Sequence, residues 1–214
     1  MKITIPSALK DITLFQYKQY LNIQEQSTDN RILEAKMIQI FCNLKLEEVM
    51  LLKLNDSQEI INIILKTFDE KPSLIKTFKI KDVEYGFHPK LDNLTFGEYI
   101  DLDTYISDWE NIEKAMNVLY RPIIAKVKNK YSINNYNTET SINLLDMPMD
   151  AVMSSIFFLW NLGLELSTIM TNSLENQDHK VLTQYLNSIP NTDGINQFMD
   201  SLKGTLQSLK ISLN

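Results

Sequence analysis

Arginine is nearly missing from this chain: of its 21 basic residues, only Arg31 and Arg121 are not lysine. Bidentate grips on phosphate or guanine favour arginine, and the formal net charge is −6. Neither nucleic acid nor an anionic membrane is therefore expected as a partner. A single cysteine, Cys42, excludes an internal disulfide and any multi-cysteine metal site. It falls in an apolar helical stretch, where a thiol is inert. The five glycines, at 86, 97, 163, 194 and 204, lie no closer than ten residues apart, which rules out a P-loop or a dinucleotide fingerprint. His88 and His179 are the only histidines, and neither has a second histidine at helical spacing, so turn or surface roles are expected. No G-x-S-x-G elbow is present. The longest apolar run without a charge covers residues 151–164, only 14 positions including Ser154, Ser155 and Asn161. A spanning helix needs about 20, so a buried helix is the expectation. Residues 1–6 lack the apolar core of a signal peptide. No cofactor or metal is expected.

What the chain does have is ordinary globular composition, 44% hydrophobic and 22% charged over 214 residues, enough for a buried core. Residues 1–5 alternate weakly and suggest a short strand ended by Pro6. Thr13-Leu14-Phe15-Gln16 has the form of a capping box, and Leu14, Tyr17 and Leu21 continue an apolar helical face. Asp29 opens another helix with Leu33, Met37, Ile40, Phe41 and Leu44 on one side. A turn near 46–51 precedes a helix capped by Asp56 or Ser57, with Ile60, Ile61, Ile64 and Phe68 on its face and Pro72 beyond its end. Over residues 74–88 the period changes to two: Phe78 and Ile80, then Val83, Tyr85 and Phe87, around Lys81-Asp82. That pattern predicts a two-residue hairpin.

Thr95-Phe96-Gly97-Glu98 is a second capping box. Trp109, Ile112, Met116, Leu119 and Tyr120 predict an amphipathic helix stopped by Pro122. Residues 126–133 suggest a strand and 134–140 a polar loop. A long helix is expected over 149–176 and a last one from Asp193, with Ile195, Phe198, Met199, Leu202, Leu206 and Leu209 on one side; Gly204 would cost that helix about 1 kcal/mol against Ala. The whole, residues 1–214, reads as one mainly helical domain with a small antiparallel β-hairpin as an excursion at 74–88. The start of the first helix, residues 12–17, echoes residues 94–99, as a repeated helix-starting device would.

Two charged features stand out. Glu98, Asp101, Asp103, Asp108, Glu110 and Glu113 form the densest acidic stretch. It lacks the Gly-punctuated loop of a calcium site, and positions 101 and 103 point apart on a helix, so a solvated face or a face for a basic partner is expected. Lys126, Lys128 and Lys130 would share one side of a strand, guarding an edge or meeting an acidic neighbour. Glu98, Asp101, Asp108, Glu113 and these three lysines are the candidate interaction residues. Tyr99, Tyr105 and Trp109 sit at helical spacing and read as core.

The segment from Leu94 through Thr95-Phe96-Gly97-Glu98-Tyr99-Ile100-Asp101-Leu102-Asp103-Thr104-Tyr105 to Ile106, followed by Trp109 and Leu119-Tyr120-Arg121-Pro122, resembles a stretch in proteins of tailed bacteriophages. These are virion structural proteins or tail assembly chaperones, including proteins of crAss-like phages. The likeness is strongest over 91–122 and fainter around residues 157–163, and it brings no catalytic residues. It implies a non-enzymatic structural protein, present in many copies in the virion neck or tail as a head-tail connector or ring. Such a protein is made in the bacterial cytoplasm and partnered by other phage structural proteins and by its own copies. A tail assembly chaperone that binds tail or tape-measure protein transiently and is absent from the virion is the alternative. Ring assembly needs two different complementary faces on each subunit, which the acidic and lysine-bearing segments would supply.

Overall fold

The computed structural model describes residues 2–128, 130–137 and 144–175, with side chains through Leu164. Among them the chain is mainly helical with a small antiparallel sheet. Helix α1, Leu14–Gln26, starts on the expected capping box: Thr13 Oγ1 accepts from the Gln16 N–H, and Gln16 Oε1 accepts from the Thr13 N–H. Asp29 caps α2, Asn30–Phe41, by accepting from the Arg31 N–H at 2.9 Å. The stretch expected as a turn winds into a short helix, α3, Leu46–Met50. Helix α4, Leu54–Phe68, begins ahead of the predicted cap, with Lys53 at the N-cap and Asp56 in the first turn. A carboxylate there complements the partial positive charge of the helix start. Its inner face is Ile60, Ile61, Ile64 and Thr67. Residues 2–5 form no strand.

Strands β1, Thr77–Ile80, and β2, Val83–Phe87, pair with Ile80 opposite Val83, leaving Lys81-Asp82 as the two-residue turn that the alternation predicts. Lys81 takes φ of +54°, as a tight hairpin turn requires. The hairpin is not an isolated excursion, however. Strand β3, Tyr120–Val127, pairs with β2, and β4, Lys130–Ile133, pairs with β3, giving a sheet of order β1-β2-β3-β4. Two expectations fail here. Helix α6, Ile112–Leu119, contains neither Trp109 nor Tyr120. Pro122 lies inside β3 opposite Tyr85, where its carbonyl still accepts from the Asn134 N–H.

Tertiary packing explains the departure. The Tyr120 ring is fully buried, edge-on to Phe78 at 5.1 Å and to Phe87 at 5.2 Å. Its hydroxyl donates to the Ile75 carbonyl at 2.7 Å. An apolar-looking helical position is thereby claimed by the sheet.

Helix α5, Phe96–Tyr105, packs on α6, and the long α7, Met149–Glu175, follows as expected. The strand-like residues before α1 and α7 clip together: the Leu14 N–H donates to Met147 O, and the Met149 N–H to Ile12 O. One buried cluster includes Leu14, Ile38, Ile64, Met116 and Ile156 from the helices, with Tyr85 and Phe87 from the sheet. Ser154 on α7 accepts from the Ile75 N–H at 3.1 Å, tying that helix to the chain entering β1. The helix expected from Asp193 lies outside the described residues, as does His179.

Candidate functional site

The segment from Leu94 to Pro122 folds around a buried ion pair. Glu98 and Arg121, 23 positions apart, meet with Glu98 Oε1 2.7 Å from Arg121 Nη1, and their side chains are only 4% and 6% exposed. Glu98 is also the last residue of the second capping box, its Oε2 accepting from the Thr95 N–H at 2.7 Å. One carboxylate therefore fastens the first turn of α5 and locks that helix to β3. Burial pushes the Glu98 carboxyl up, but the Thr95 hydrogen bonds and the Arg121 cation outweigh it and hold the group below its ordinary value.

Three more residues complete the cluster. The Tyr136 ring lies under the Arg121 guanidinium, 5.8 Å from its centre, and the Tyr136 hydroxyl donates to Asp101 Oδ2 at 2.6 Å. Burial, then the Asp101 bond and nearby carboxylates, push that phenol well above its usual range. His88, at the end of β2, is also buried; its Nδ1 accepts from the Lys90 N–H. Burial and the Arg121 cation hold His88 below its ordinary value, against the pull of Glu98. Both Glu98 oxygens and the His88 acceptor are thus engaged inside the fold. The arrangement is a clamp: it fixes which side of α5 faces outward.

The candidate interaction residues are placed differently from what was expected. The acidic residues do not make a solvated face. Glu98 is buried, Asp101 is held by Tyr136, and Asp108 accepts from the Glu110 N–H at 3.0 Å and the Asn111 amide at 2.7 Å. Glu113 pairs with Lys18 Nζ of α1 at 2.5 Å. Asp103 points away from Asp101, and burial pushes its carboxyl up. The three lysines do not share one strand. Lys126 is near the end of β3 and pairs with Glu84 of β2 at 2.7 Å; Lys128 sits in the turn with φ of +53°; Lys130 opens β4. Among the described residues no group of His, Cys, Asp or Glu is arranged to hold a metal ion.

Exposed apolar side chains are what composition and spacing did not reveal. Clamped by Glu98, α5 turns Leu102 and Ile106 inward and leaves Phe96 78% exposed, with Tyr99 and Ile100 beside it on the outer face. Tyr99 is thus not core, whereas Trp109 packs edge-on against Tyr17 at 5.3 Å. A second patch lies where α3 meets α4, at Met50, Leu51 and Leu54, and a third at Ile124 and Val127 near the end of β3. Between α1 and α2 runs an open groove of about 820 Å³, lined by Phe15, Gln19, Asn22, Lys36 and Gln39 among others. No family model, curated protein or solved structure matches the chain.

Proposed function

We propose that this chain is a non-enzymatic structural protein of a tailed bacteriophage, a multi-copy component of the virion neck or tail, made in the bacterial cytoplasm. The observation that carries the reading is the outer face of α5. The segment with the phage resemblance draws Glu98, Asp101 and Arg121 into an internal clamp and presents Phe96, Tyr99 and Ile100 to solvent. Contiguous exposed apolar side chains mark surfaces made to be covered by another protein. The partners are other virion proteins and further copies of this chain, and neither nucleic acid nor membrane. Among the described residues no helix is long and apolar enough to cross a membrane.

Quantitative mass spectrometry of purified particles tests this. The expected result is a stoichiometric, multi-copy presence. A second reading, a tail assembly chaperone, draws on the groove between α1 and α2, whose volume suits a side-chain-bearing segment of another chain. Abundance in infected lysate with absence from particles is the result that favours the chaperone and overturns the structural role.

A further inference from the structure

The sheet ends in a basic and apolar finger. From Ile124 through Lys128 every residue is exposed, with Ile124 at 65% and Val127 at 72%. Residues 123–133 contain three lysines and no acidic residue. The β1–β2 turn lies at the same end, since Ile80 pairs with Val83 and Tyr85 with Pro122, and it adds the exposed Lys79 and Lys81 against one exposed carboxylate, Asp82. Lys126 is committed to Glu84, whereas Lys128 and Lys130 reach no carboxylate among the described residues.

A surface of opposite character lies on the helices. At the α3–α4 corner Met50 is 66% exposed, Leu51 85% and Leu54 72%, flanked by the exposed Glu47, Asp56 and Glu59, which outnumber the exposed Lys53 between Leu51 and Leu54. None of these three carboxylates has an ion pair among the described residues. Glu98, Asp101, Asp108 and Glu113 are already held by Arg121, Tyr136, Asn111 and Lys18, and so are less suited to this part.

We propose that the partner of each surface is a second copy of this chain: the β3–β4 finger of one copy docks on the α3–α4 corner of the next. Ile124 and Val127 cover Met50, Leu51 and Leu54, while Lys128 and Lys130 face Glu47, Asp56 and Glu59. Apolar burial supplies the affinity and the charges set orientation, because exposed pairs alone bind weakly. Two different surfaces make the contact head-to-tail, which closes into a ring or runs on as a filament. The inference deepens the multi-copy reading and rests on it for its setting, yet self-association is measurable without a virion.

The test is sedimentation velocity on the full chain across concentration, at low and high salt. Wild type should form larger species as concentration rises, and less readily at high salt. Ile124→Glu/Val127→Glu should weaken association by about 30-fold or more, as loss of a central apolar anchor does. Lys128→Glu/Lys130→Glu should weaken it by roughly 3- to 30-fold. This second variant touches only exposed side chains, so it keeps the test valid if the first fails to fold. Adding Glu47→Lys/Asp56→Lys/Glu59→Lys to it should restore association. A wild type that stays monomeric, a lysine variant that associates normally, or a compensated variant that does not recover each overturns the proposal. So does a loss of association caused by Phe96→Glu and by none of the finger or corner variants. Particle composition is read separately: multi-copy presence in virions with any of these failures leaves the structural role standing and moves the contact elsewhere.

Discussion

At the scale of single residues, the Glu98–Arg121 pair governs how much a substitution can cost. Removing one partner of a buried pair strands the other without solvent or counter-charge, typically at about 3–5 kcal/mol. Arg121→Met should therefore destabilise the protein by that amount in urea titrations, read as a lower midpoint at unchanged slope. Adding Glu98→Gln should recover most of the loss. Gln at this position keeps the capping box, as Gln16 does at the start of α1, while shedding the stranded charge. A double variant no more stable than Arg121→Met would show that the ion pair is not what the cost reflects.

His88 sets the acid response. Its folded-state value is held below the ordinary 6.5, so the unfolded chain takes up the proton first. The stability this neutral imidazole contributes is present above about 6.5 and is lost as pH falls through the folded value. Glu98, also held low, loses its contribution only further down, below its ordinary 4.5. Asp103 and Asp150, both pushed up by burial, work in the opposite sense in the acid range near 3.8 and above. Between about pH 7 and 5.5 the histidine should dominate. His88→Asn, whose amide oxygen can still accept from the Lys90 N–H, should flatten the stability curve in that window. An unchanged slope in thermal melts across it would exclude His88 as the origin.

At the scale of elements, the sheet is held by one close approach. A Cβ at Gly86 would lie 2.5 Å from Tyr131 Cε2, because the β4 tyrosine crosses directly over β2. The Tyr131 hydroxyl donates to Phe87 O at 2.8 Å. Gly86→Ala should push that ring aside, loosen β4 and cost about 1–3 kcal/mol. Gly86→Ala combined with Tyr131→Ala should cost less than the sum of the two singles, as expected for neighbours in contact. Additive costs would mean that the ring does not hold the strand.

What could be read ahead of the structure follows the range over which each signal acts. The two capping boxes and the Lys81-Asp82 hairpin are local, and they stand where the residues put them. Helix α4 also follows its apolar period, and α7 starts at the expected Met149. Signals carried by distant partners were hidden. Tyr120 fits a helical face equally well until Phe78 and Phe87 claim it for the sheet. Pro122, a helix stopper by type, becomes a strand residue because β2 and Asn134 are there to meet it. Glu98 reads locally as a capping residue, but its burial depends on Arg121, and Glu113 depends on Lys18 across 95 positions. The lysine run lacks a glycine to announce its turn, so one strand was expected where Lys128 bends the chain into two.

At the scale of the whole molecule, Cys42 gains a use from its position. It ends α2 in the cluster shared with Phe41, Val49 and Ile64, 6% exposed, and burial pushes its thiol up to about 11. At neutral pH thiolate is scarce there and the sulfur is buried, so labelling is expected to wait for the surrounding helices to part. This lone sulfur is therefore a native stopwatch for breathing, needing no engineered probe. In the regime where reclosing outpaces reaction, the labelling rate reports the free energy of opening directly. Ile64→Val, which removes one buried methylene at about 0.5–1.5 kcal/mol, should quicken labelling by an aromatic disulfide roughly 2- to 12-fold. Lys128→Glu, on the far finger, should leave the rate alone. Equal acceleration by both would mean that the sulfur is exposed by global unfolding, and its clock would then time the entire chain.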